Sequence, residues 1–299
     1  LPRFQSPQQF QIRHYEARLF ATTQSLRRIG GDCFAVLAMT DIAVLTLSVW
    51  ARVCILAGMR KKDIFTFDTP QDKARYVNSV FVRISDGYDR MNHIMSLGRD
   101  MAWRRRAIEL TGVPPGGRLL DVATGTGDMA LLSLAHDPSI RVTGVDFTPE
   151  MLQVGRAKEN GQPGQVGWTN GDGLRLPFPD ETFDAAISGF MMRNVTDVAA
   201  ALAEQRRVVR TGGRVVCLEM TYPATPGWRA LYRWFFDRVL PILPGFLTGQ
   251  PDAYRYLPAS LANFMSAEAL KSVMETIGLR GVGYQRMMLG SVAVHVGVK

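Results

Sequence analysis

A short apolar run that enters a glycine-rich turn is the feature that most constrains the fold of this chain. Residues 119–128 read Leu-Leu-Asp-Val-Ala-Thr-Gly-Thr-Gly-Asp, and a helix-compatible segment, Met129–Leu132, follows at once. The pattern predicts a strand, a tight turn and a helix. Gly125 and Gly127 allow positive φ and let a ligand approach the main chain without meeting a Cβ atom. The helix N-terminus offers unpaired N–H groups.

Two nucleoside cofactors, NAD and S-adenosylmethionine, bind at such a turn, and the acidic residues around it indicate which of them fits. Gly125-x-Gly127-x-x-Ala130 satisfies the dinucleotide pattern, which is weak evidence alone. Asp121 would repel a pyrophosphate and attract a cation, and S-adenosylmethionine carries an ammonium and a sulfonium but no phosphate. Asp146 ends the next apolar run, where an acid can accept both ribose hydroxyls, although NAD would use it too. These residues predict S-adenosylmethionine; the alternative is a turn that only packs helix on strand.

Strand-like and helix-like segments alternate along the rest of the chain. The predicted strands are residues 119–122, 142–145, 166–169, 183–188 and 214–219, followed by a hairpin of 280–288 and 291–298. Helices are predicted to start at Thr69, Met129, Thr148, Asp197, Trp228 and Ala267, and Gly212-Gly213 is expected to close the one that runs from Asp197 to Val209. The expected fold is α/β: a doubly wound, mostly parallel, Rossmann-like seven-stranded sheet with a C-terminal antiparallel hairpin.

Residues 1–58 differ from the rest of the chain. The first 28 residues contain five arginines and one acid, Glu16, among many Gln, Ser and Thr residues. An organelle transit peptide, a disordered leader, or translated upstream sequence with the functional start near Met59 would each explain this composition. Residues 33–50 are largely apolar, but Asp41 argues against a membrane span. The functional domain is therefore predicted to cover 59–299.

Charge and cysteine content exclude several classes of partner. The net charge is +8, but the arginines are scattered and form no dense run, so no nucleic-acid partner is predicted. The three cysteines share no short spacing, so neither a metal site nor a redox pair is predicted, and a reducing compartment fits best.

Two segments interrupt the simple pattern. Residues 88–98 mix polar and large apolar groups too irregularly for a core helix, so they predict either a lid over the site or a surface helix with a turn. Residues 221–264 form an insert, in which an aromatic stripe runs from Trp228 to Leu240 at helical spacing. That stripe could line a substrate pocket, touch a membrane, pair two subunits as a homodimer, or pack on its own domain.

Four segments together resemble the ubiquinone/menaquinone biosynthesis C-methyltransferases. They are Tyr-Asp-x-Met-Asn-x-x-Met-Ser-x-Gly at 88–98, Leu-Asp-Val-Ala-x-Gly-Thr-Gly-Asp at 120–128, Arg-Asn-Val-Thr-Asp at 193–197 and Tyr-Arg-Tyr-Leu at 254–257. The resemblance runs from about Phe65 to the C-terminus. Its specificity lies in the combination, because the glycine motif alone is common to class I methyltransferases.

The resemblance implies the class I methyltransferase fold, S-adenosylmethionine as cofactor and a prenylated demethylquinol as substrate, methylated on a ring carbon. It implies cofactor contacts at Thr126, Asp146, Asp172, Gly173 and Ser188. From the residues alone, Asp172 is either an acceptor for the adenine amino group or part of a solvated turn.

The chemistry needs an ionised acceptor, because a ring carbon becomes a good nucleophile only when an ortho hydroxyl loses its proton. Arg193 could stabilise the phenolate electrostatically, with Asn194 and Tyr88 as further catalytic candidates. Arg193 could instead pair with an acid structurally. The general base is left open among His93, Asp89, Tyr88 and His295, the last of which could also be a core residue.

Several positions depart from the residues usual in that family, and they cluster on the expected substrate side. They are His93, residues 99–101, Met191-Met192 and Pro258-Ala259. Methylation of another apolar phenol, or a catalytically silent scaffold in a biosynthetic complex, are therefore the alternative functions. The expected location is the cytoplasm with peripheral contact at the inner membrane, or the mitochondrial matrix if the leader is a transit peptide.

Overall fold

A computed structural model describes residues 67–96, 98–159, 164–223, 225–234, 256, 259–261 and 264–299. The leader and most of the predicted insert lie outside the described residues. The predicted domain boundaries therefore stay predictions.

Seven strands in the described residues form one sheet, as the sequence predicts. They are β1 Arg118–Val122, β2 Arg141–Asp146, β3 Val166–Asn170, β4 Phe183–Gly189, β5 Val209–Met220, β6 Arg280–Met287 and β7 Val292–Val298. The strand order is β3-β2-β1-β4-β5-β7-β6. The first five strands pair in parallel, and β7 joins β5 and β6 antiparallel. The chain order reverses between β1 and β4, and ligands bind in the crevice at such a point.

Helices cover both faces of this sheet. They are α1 Pro70–Ile84, α2 Tyr88–Met95, α3 Asp100–Thr111, α4 Asp128–His136, α5 Pro149–Ala157, α6 Val198–Val208, α7 Pro226–Trp234 and α8 Ala267–Thr276. Side chains alternate across each strand. Leu119 therefore packs under α3 and α4, whereas Leu120 packs in the core that α6 and α8 cover. Both leucines are fully buried.

The start of α1 follows its sequence signals. Thr69 is the N-cap, and its Oγ1 accepts a hydrogen bond of 3.1 Å from the backbone N–H of Asp72. Pro70 occupies the first helical turn, where its missing N–H costs nothing. The predicted start of a helix at Thr69 is confirmed.

The predicted boundary between α6 and β5 is wrong. Gly212 and Gly213 do not close a helix but lie inside β5, which starts directly after Val208. The C-terminal residue explains the difference, because Gly212 N donates to Lys299 O and Lys299 N donates to Gly213 O, each at 3.0 Å. This long-range pairing extends the strand past the glycines.

Candidate active site

A cavity lies at the carboxyl ends of the parallel strands, where the fold predicts a ligand. Its volume is about 930 Å³, part of it open to solvent. Its walls come from the glycine turn, the β2–α5 connection, residues 171–174 after β3 and the segment that follows β4. Helix α1 and Tyr88 complete the lining.

The two glycines of the turn differ in what surrounds them. Gly125 has φ of 58°, and nothing lies within 4 Å of the position that a Cβ atom would take. It lines the cavity, so a ligand can approach its main chain as predicted. Gly127 also has positive φ, but a Cβ there would lie 2.3 Å from the ring of Trp168. The missing side chain of Gly127 therefore makes room for an indole, and a cofactor contact at its main chain stays a prediction.

Asp146 connects the turn to the end of β2. One carboxylate oxygen accepts the Gly125 N–H at 2.8 Å, and the other accepts the Thr148 N–H at 2.8 Å. The side chain lines the cavity but is only 9% exposed. Burial raises the pKa of this carboxyl, while the backbone N–H groups oppose the rise. Each oxygen retains acceptor capacity that a ribose hydroxyl could use.

The charge of the cavity lining separates the two cofactor candidates. Asp146 and Asp172 are its ionisable acids, and no lysine, arginine or histidine side chain lies among its described lining residues. A pyrophosphate would gain no cationic partner here, whereas a sulfonium and an ammonium are compatible with the acids. The residues present therefore fit S-adenosylmethionine.

A buried ion pair lies beside the cavity, at the ends of β4 and β5. Arg193 Nη1 donates to Glu219 Oε1, and the Arg193 backbone N–H donates to the other oxygen at 3.3 Å. Both side chains are at least 95% buried. Arg193 Nε has no hydrogen-bond partner among the described residues. The guanidinium also stands 5.5 Å from the ring centroid of Phe190, which lines the cavity.

Comparison with known proteins identifies the family. Residues 69–299 match the ubiE/COQ5 methyltransferase family. The demethylmenaquinone methyltransferase of Roseiflexus sp. (strain RS-1) is 43% identical over 230 residues, which are 77% of this chain and 96% of that protein. The Thermus thermophilus protein of the same name is 43% identical over 73% of this chain and 99% of its own length. The chain belongs to the ubiE/COQ5 methyltransferase family.

More distant relatives share the fold of this methyltransferase. The UbiE C-methyltransferase of Geobacter sulfurreducens is 38% identical over 76% of this chain and 90% of its own. A solved S-adenosylmethionine-dependent methyltransferase from Thermotoga maritima aligns over 75% of this chain and 99% of its own, with a TM-score of 0.53 and 20% identity. Family and fold confirm the predicted class I methyltransferase with S-adenosylmethionine as its cofactor.

The predicted cofactor residues fall into two groups in this methyltransferase. Asp146, Gly125, Asp172 and Gly173 line the cavity. The others stand behind its wall: Asp121, Thr126, Gly127 and Ser188. A hypothetical Cβ on Gly173 would meet the methyl group of Met191 at 2.3 Å, so this glycine allows the two segments to approach closely.

Thr126 and Ser188 are occupied by protein partners. The Thr126 hydroxyl donates to Asp89 of α2 at 2.5 Å, and the Asp89 carboxylate also pairs with Lys158 at 2.5 Å. Ser188 is fully buried and lies 3.4 Å from the side-chain amide of Gln205 in α6. Both positions support the site through neighbouring elements, and their direct cofactor contacts stay predictions.

The catalytic candidates are also divided. Tyr88 and Asn194 line the cavity, and Asn194 Oδ1 is buried without a hydrogen-bond partner among the described residues. Arg193 lies behind them, paired with Glu219 as the structural alternative anticipated.

Of the four candidate bases, Tyr88 alone lines the cavity. His93 is exposed and contacts Asp100 at 3.2 Å. His295 is 1% exposed within β7, where its Nε2 lies 2.9 Å from the carbonyl oxygen of Ala267. Burial lowers the pKa of His295, as expected for a core histidine. Asp89 is held by the glycine turn and by Lys158.

Helix α1 and the residues after Asp146 contribute to the site without having been predicted to do so. Val77, Asn78 and Phe81 of α1 line the cavity, and Asn78 Oδ1 accepts the Thr148 hydroxyl at 2.8 Å. Phe147 also lines it and is 53% exposed. Two sequence signals could have indicated these contributions. One is an asparagine on the apolar stripe of α1, and the other is a phenylalanine directly after an acid that ends a strand. Of the segment 88–98, predicted to be either a lid or a surface helix, Tyr88 lines the cavity, and its function as a lid stays a prediction.

Asp121 gives a pH-dependent prediction. It is 1% exposed, accepts the Thr124 hydroxyl at 2.6 Å, and burial raises its pKa to about 7. The unfolded chain releases this proton near pH 3.8, whereas the folded chain holds it up to about pH 7. The cofactor-free protein therefore loses stability as pH rises through that window, by up to about 4 kcal/mol at roughly 1.4 kcal/mol per pKa unit.

Asp121→Asn cannot ionise, so we expect it to raise the thermal midpoint at pH 8 relative to the parent chain and to leave it nearly unchanged at pH 4. Thermal melts of both proteins across this range measure the difference. Asp137→Asn serves as the control of opposite sign, because hydrogen bonds from Ser139 lower the pKa of Asp137. An identical pH slope for Asp121→Asn and the parent would contradict the prediction.

Proposed function

We propose that this methyltransferase transfers a methyl group from S-adenosylmethionine to a ring carbon of a prenylated demethylquinol. The observation that carries the proposal is a single cavity that joins the acidic end at Asp146 to Asn194, beside the Arg193–Glu219 pair. The names of the relatives, demethylmenaquinone methyltransferase and ubiquinone/menaquinone biosynthesis C-methyltransferase, support the substrate class.

Asp146, the Gly125 main chain and the Asp172-Gly173 segment would hold the cofactor. S-adenosylmethionine supplies an electrophilic methyl group on a sulfonium, so the chain itself must orient an acceptor and favour its ionised form. Asp121 lies beneath the turn, where its carboxylate would add negative potential near a cationic ligand once it is ionised.

Arg193 would lower the cost of ionising the acceptor. Its pairing with Glu219 neutralises part of its charge, but Nε remains a buried donor without a partner among the described residues. A donor held in place before the reaction costs no reorganisation when negative charge develops on an oxygen. Asn194 Oδ1 is an acceptor that could orient the second hydroxyl of the ring.

Tyr88 would act as a hydrogen-bond donor in this site. Burial raises the pKa of its phenol, so the group stays neutral at pH 7 and is a poor base. We therefore propose a positioning role for Tyr88, with the acceptor proton leaving through water in the solvent-open part of the cavity.

The apolar walls suit a prenylated ring. Val77 and Phe81 of α1 line the cavity together with Leu174, Met191 and Val195. Most of these side chains are aliphatic, and none is charged. A flat apolar acceptor would bury its ring between them, with its oxygens directed to Asn194 and Arg193.

Complementation combined with calorimetry tests this function. The purified chain should bind S-adenosylmethionine and not NADH, and the gene should restore methylated quinone, detected by mass spectrometry of lipid extracts, to a strain that lacks this methyltransferase. Preferential NADH binding would indicate a dehydrogenase. Cofactor binding without methylated quinone would indicate a scaffold, and methylation of a different phenol would identify another substrate.

We also propose peripheral membrane contact through α7, because a prenylated quinol stays in the bilayer. Among the described residues no helix is long and apolar enough to span a membrane. Leu231 and Trp234 are each 51% exposed, whereas Tyr232 is 9% exposed and packs against Leu261 and Met220. Residues 235–240 of the predicted stripe lie outside the described residues; within the described part, Tyr232 packs on its own domain and Leu231 remains exposed. Arg229 and Arg233 could each add about 1 kcal/mol near anionic headgroups, which salt-dependent sedimentation with vesicles would reveal.

A further inference from the structure

The turn between β6 and β7 combines two features that oppose stability. Met288 and Leu289 have φ of 49° and 54°, and Gly290 follows with 88°. A residue with a side chain adopts this left-handed backbone at a cost, and hairpin turns normally place Asn, Asp or Gly there. Leu289 is nevertheless 75% exposed and Met288 39% exposed. The turn thus holds large apolar side chains in solvent on a strained backbone.

This conformation is fixed by several hydrogen bonds. The Ser291 N–H and hydroxyl both donate to Met288 O, at 3.1 and 2.8 Å. Arg286 Nη1 donates to Gly290 O at 3.5 Å and to Tyr222 O at 3.2 Å, while its Nη2 contacts Glu268 at 2.6 Å. The turn is therefore a rigid projection that the rest of the domain supports.

The same contacts place the turn next to α7. Tyr222 accepts from Arg286 on the side of the turn, and its ring lies 5.8 Å from the guanidinium carbon of Arg233 in α7. The exposed Leu231 and Trp234 belong to the same helix as Arg233. The turn and α7 therefore both lie next to Tyr222, and α7 carries Arg229 and Arg233.

We propose that Met288 and Leu289 insert into an anionic bilayer surface together with Leu231 and Trp234. The inference rests on the proposed function, because a substrate held in the bilayer requires the enzyme to approach it. Charge complementarity favours a lipid surface as the occupant, because Arg229 and Arg233 belong to the same helix as the exposed Leu231 and Trp234. The strained turn presents its two side chains before contact, so no ordering is needed on binding.

The double variant Met288→Asn, Leu289→Asn tests the inference in the full chain. Asparagine tolerates the left-handed backbone, so the thermal midpoint should equal or exceed that of the parent. Binding to anionic vesicles, measured by sedimentation without substrate, should fall at least tenfold, since each large apolar group that leaves water accounts for roughly that factor. Glu181→Gly is the matched control, because Glu181 has φ of 54° in an exposed turn before β4, away from this surface.

The outcomes separate clearly. Vesicle binding within twofold of the parent would overturn the proposal, and so would an altered oligomeric state of the variant, which would assign the turn to a contact between copies of this chain. If the double variant has a lower thermal midpoint than the parent, vesicle binding by the single Leu289→Asn variant decides the question, because Leu289 is the more exposed of the two side chains. Methylation of a short-chain soluble quinol should be unchanged. Failure of the parent on that quinol would refute the proposed function without changing the vesicle result.

Discussion

Replacing Asp146 by alanine is expected to weaken S-adenosylmethionine binding at least tenfold. Its carboxylate lines the cavity and can accept both ribose hydroxyls, and charge-assisted hydrogen bonds contribute about 1.5 to 3 kcal/mol each. Because 1.4 kcal/mol corresponds to about a factor of ten, losing both bonds should exceed that factor comfortably. Isothermal titration calorimetry measures the change directly.

The structure changes the expected effect of this substitution on stability. A residue at a strand end that is open to solvent could be lost without harm to the fold, but Asp146 is only 9% exposed and holds the N–H groups of Gly125 and Thr148. Alanine would leave both donors without a partner, at about 1 to 3 kcal/mol each if they stay dry. Thermal melts should therefore show a lower midpoint than that of the parent.

Two variants separate the loss of contact from the loss of the turn. Asp146→Asn keeps one acceptor oxygen, so it should retain more of the fold than alanine while still binding the cofactor weakly. Asp172→Asn changes the acid in the neighbouring segment after β3 and should have the smaller effect on affinity. Unchanged affinity in both Asp146 variants would remove this residue from the site.

Local pattern predicts the sheet and the strand-end acid because both depend on neighbours in sequence. Apolar runs separated by helical segments specify parallel strands, and the carboxyl ends of such strands necessarily meet. The position of Asp146 at the cavity follows from this arrangement, because Asp146 ends a parallel strand. The contribution of α1 does not, because Asn78 and Phe81 reach the cavity only through the tertiary position of their helix.

The alternation of side chains along a strand could have predicted that Asp121 and Ser188 lie outside the cavity lining. Asp121 shares a face of β1 with Leu119, which packs under α4, and so its carboxylate lies beneath the turn rather than in the cavity. Ser188 pairs in register with Val122, whose side chain belongs to the core that α6 covers. The role of Gly127 could not be found in this way, because Trp168 comes from another strand.

Removing either partner of the Arg193–Glu219 pair is expected to be strongly destabilising. Both side chains are at least 95% buried, and an uncompensated buried charge costs about 3 to 5 kcal/mol. Arg193→Met and Glu219→Met should each lower the midpoint of chemical unfolding. The single variants therefore cannot distinguish a catalytic arginine from a structural one, because both would lose activity.

The double variant Arg193→Met, Glu219→Met makes that distinction. Replacing both charges with apolar groups of similar volume is often neutral or stabilising, so the double variant should recover most of the stability that each single variant loses. If Arg193 stabilises the ionised acceptor, methyl transfer should stay about 100-fold or more below the parent, the usual cost of removing one such donor. The measurement is kcat on a short-chain soluble quinol, with cofactor affinity by calorimetry as the control. Recovery of kcat together with stability would show that the pair only supports the fold.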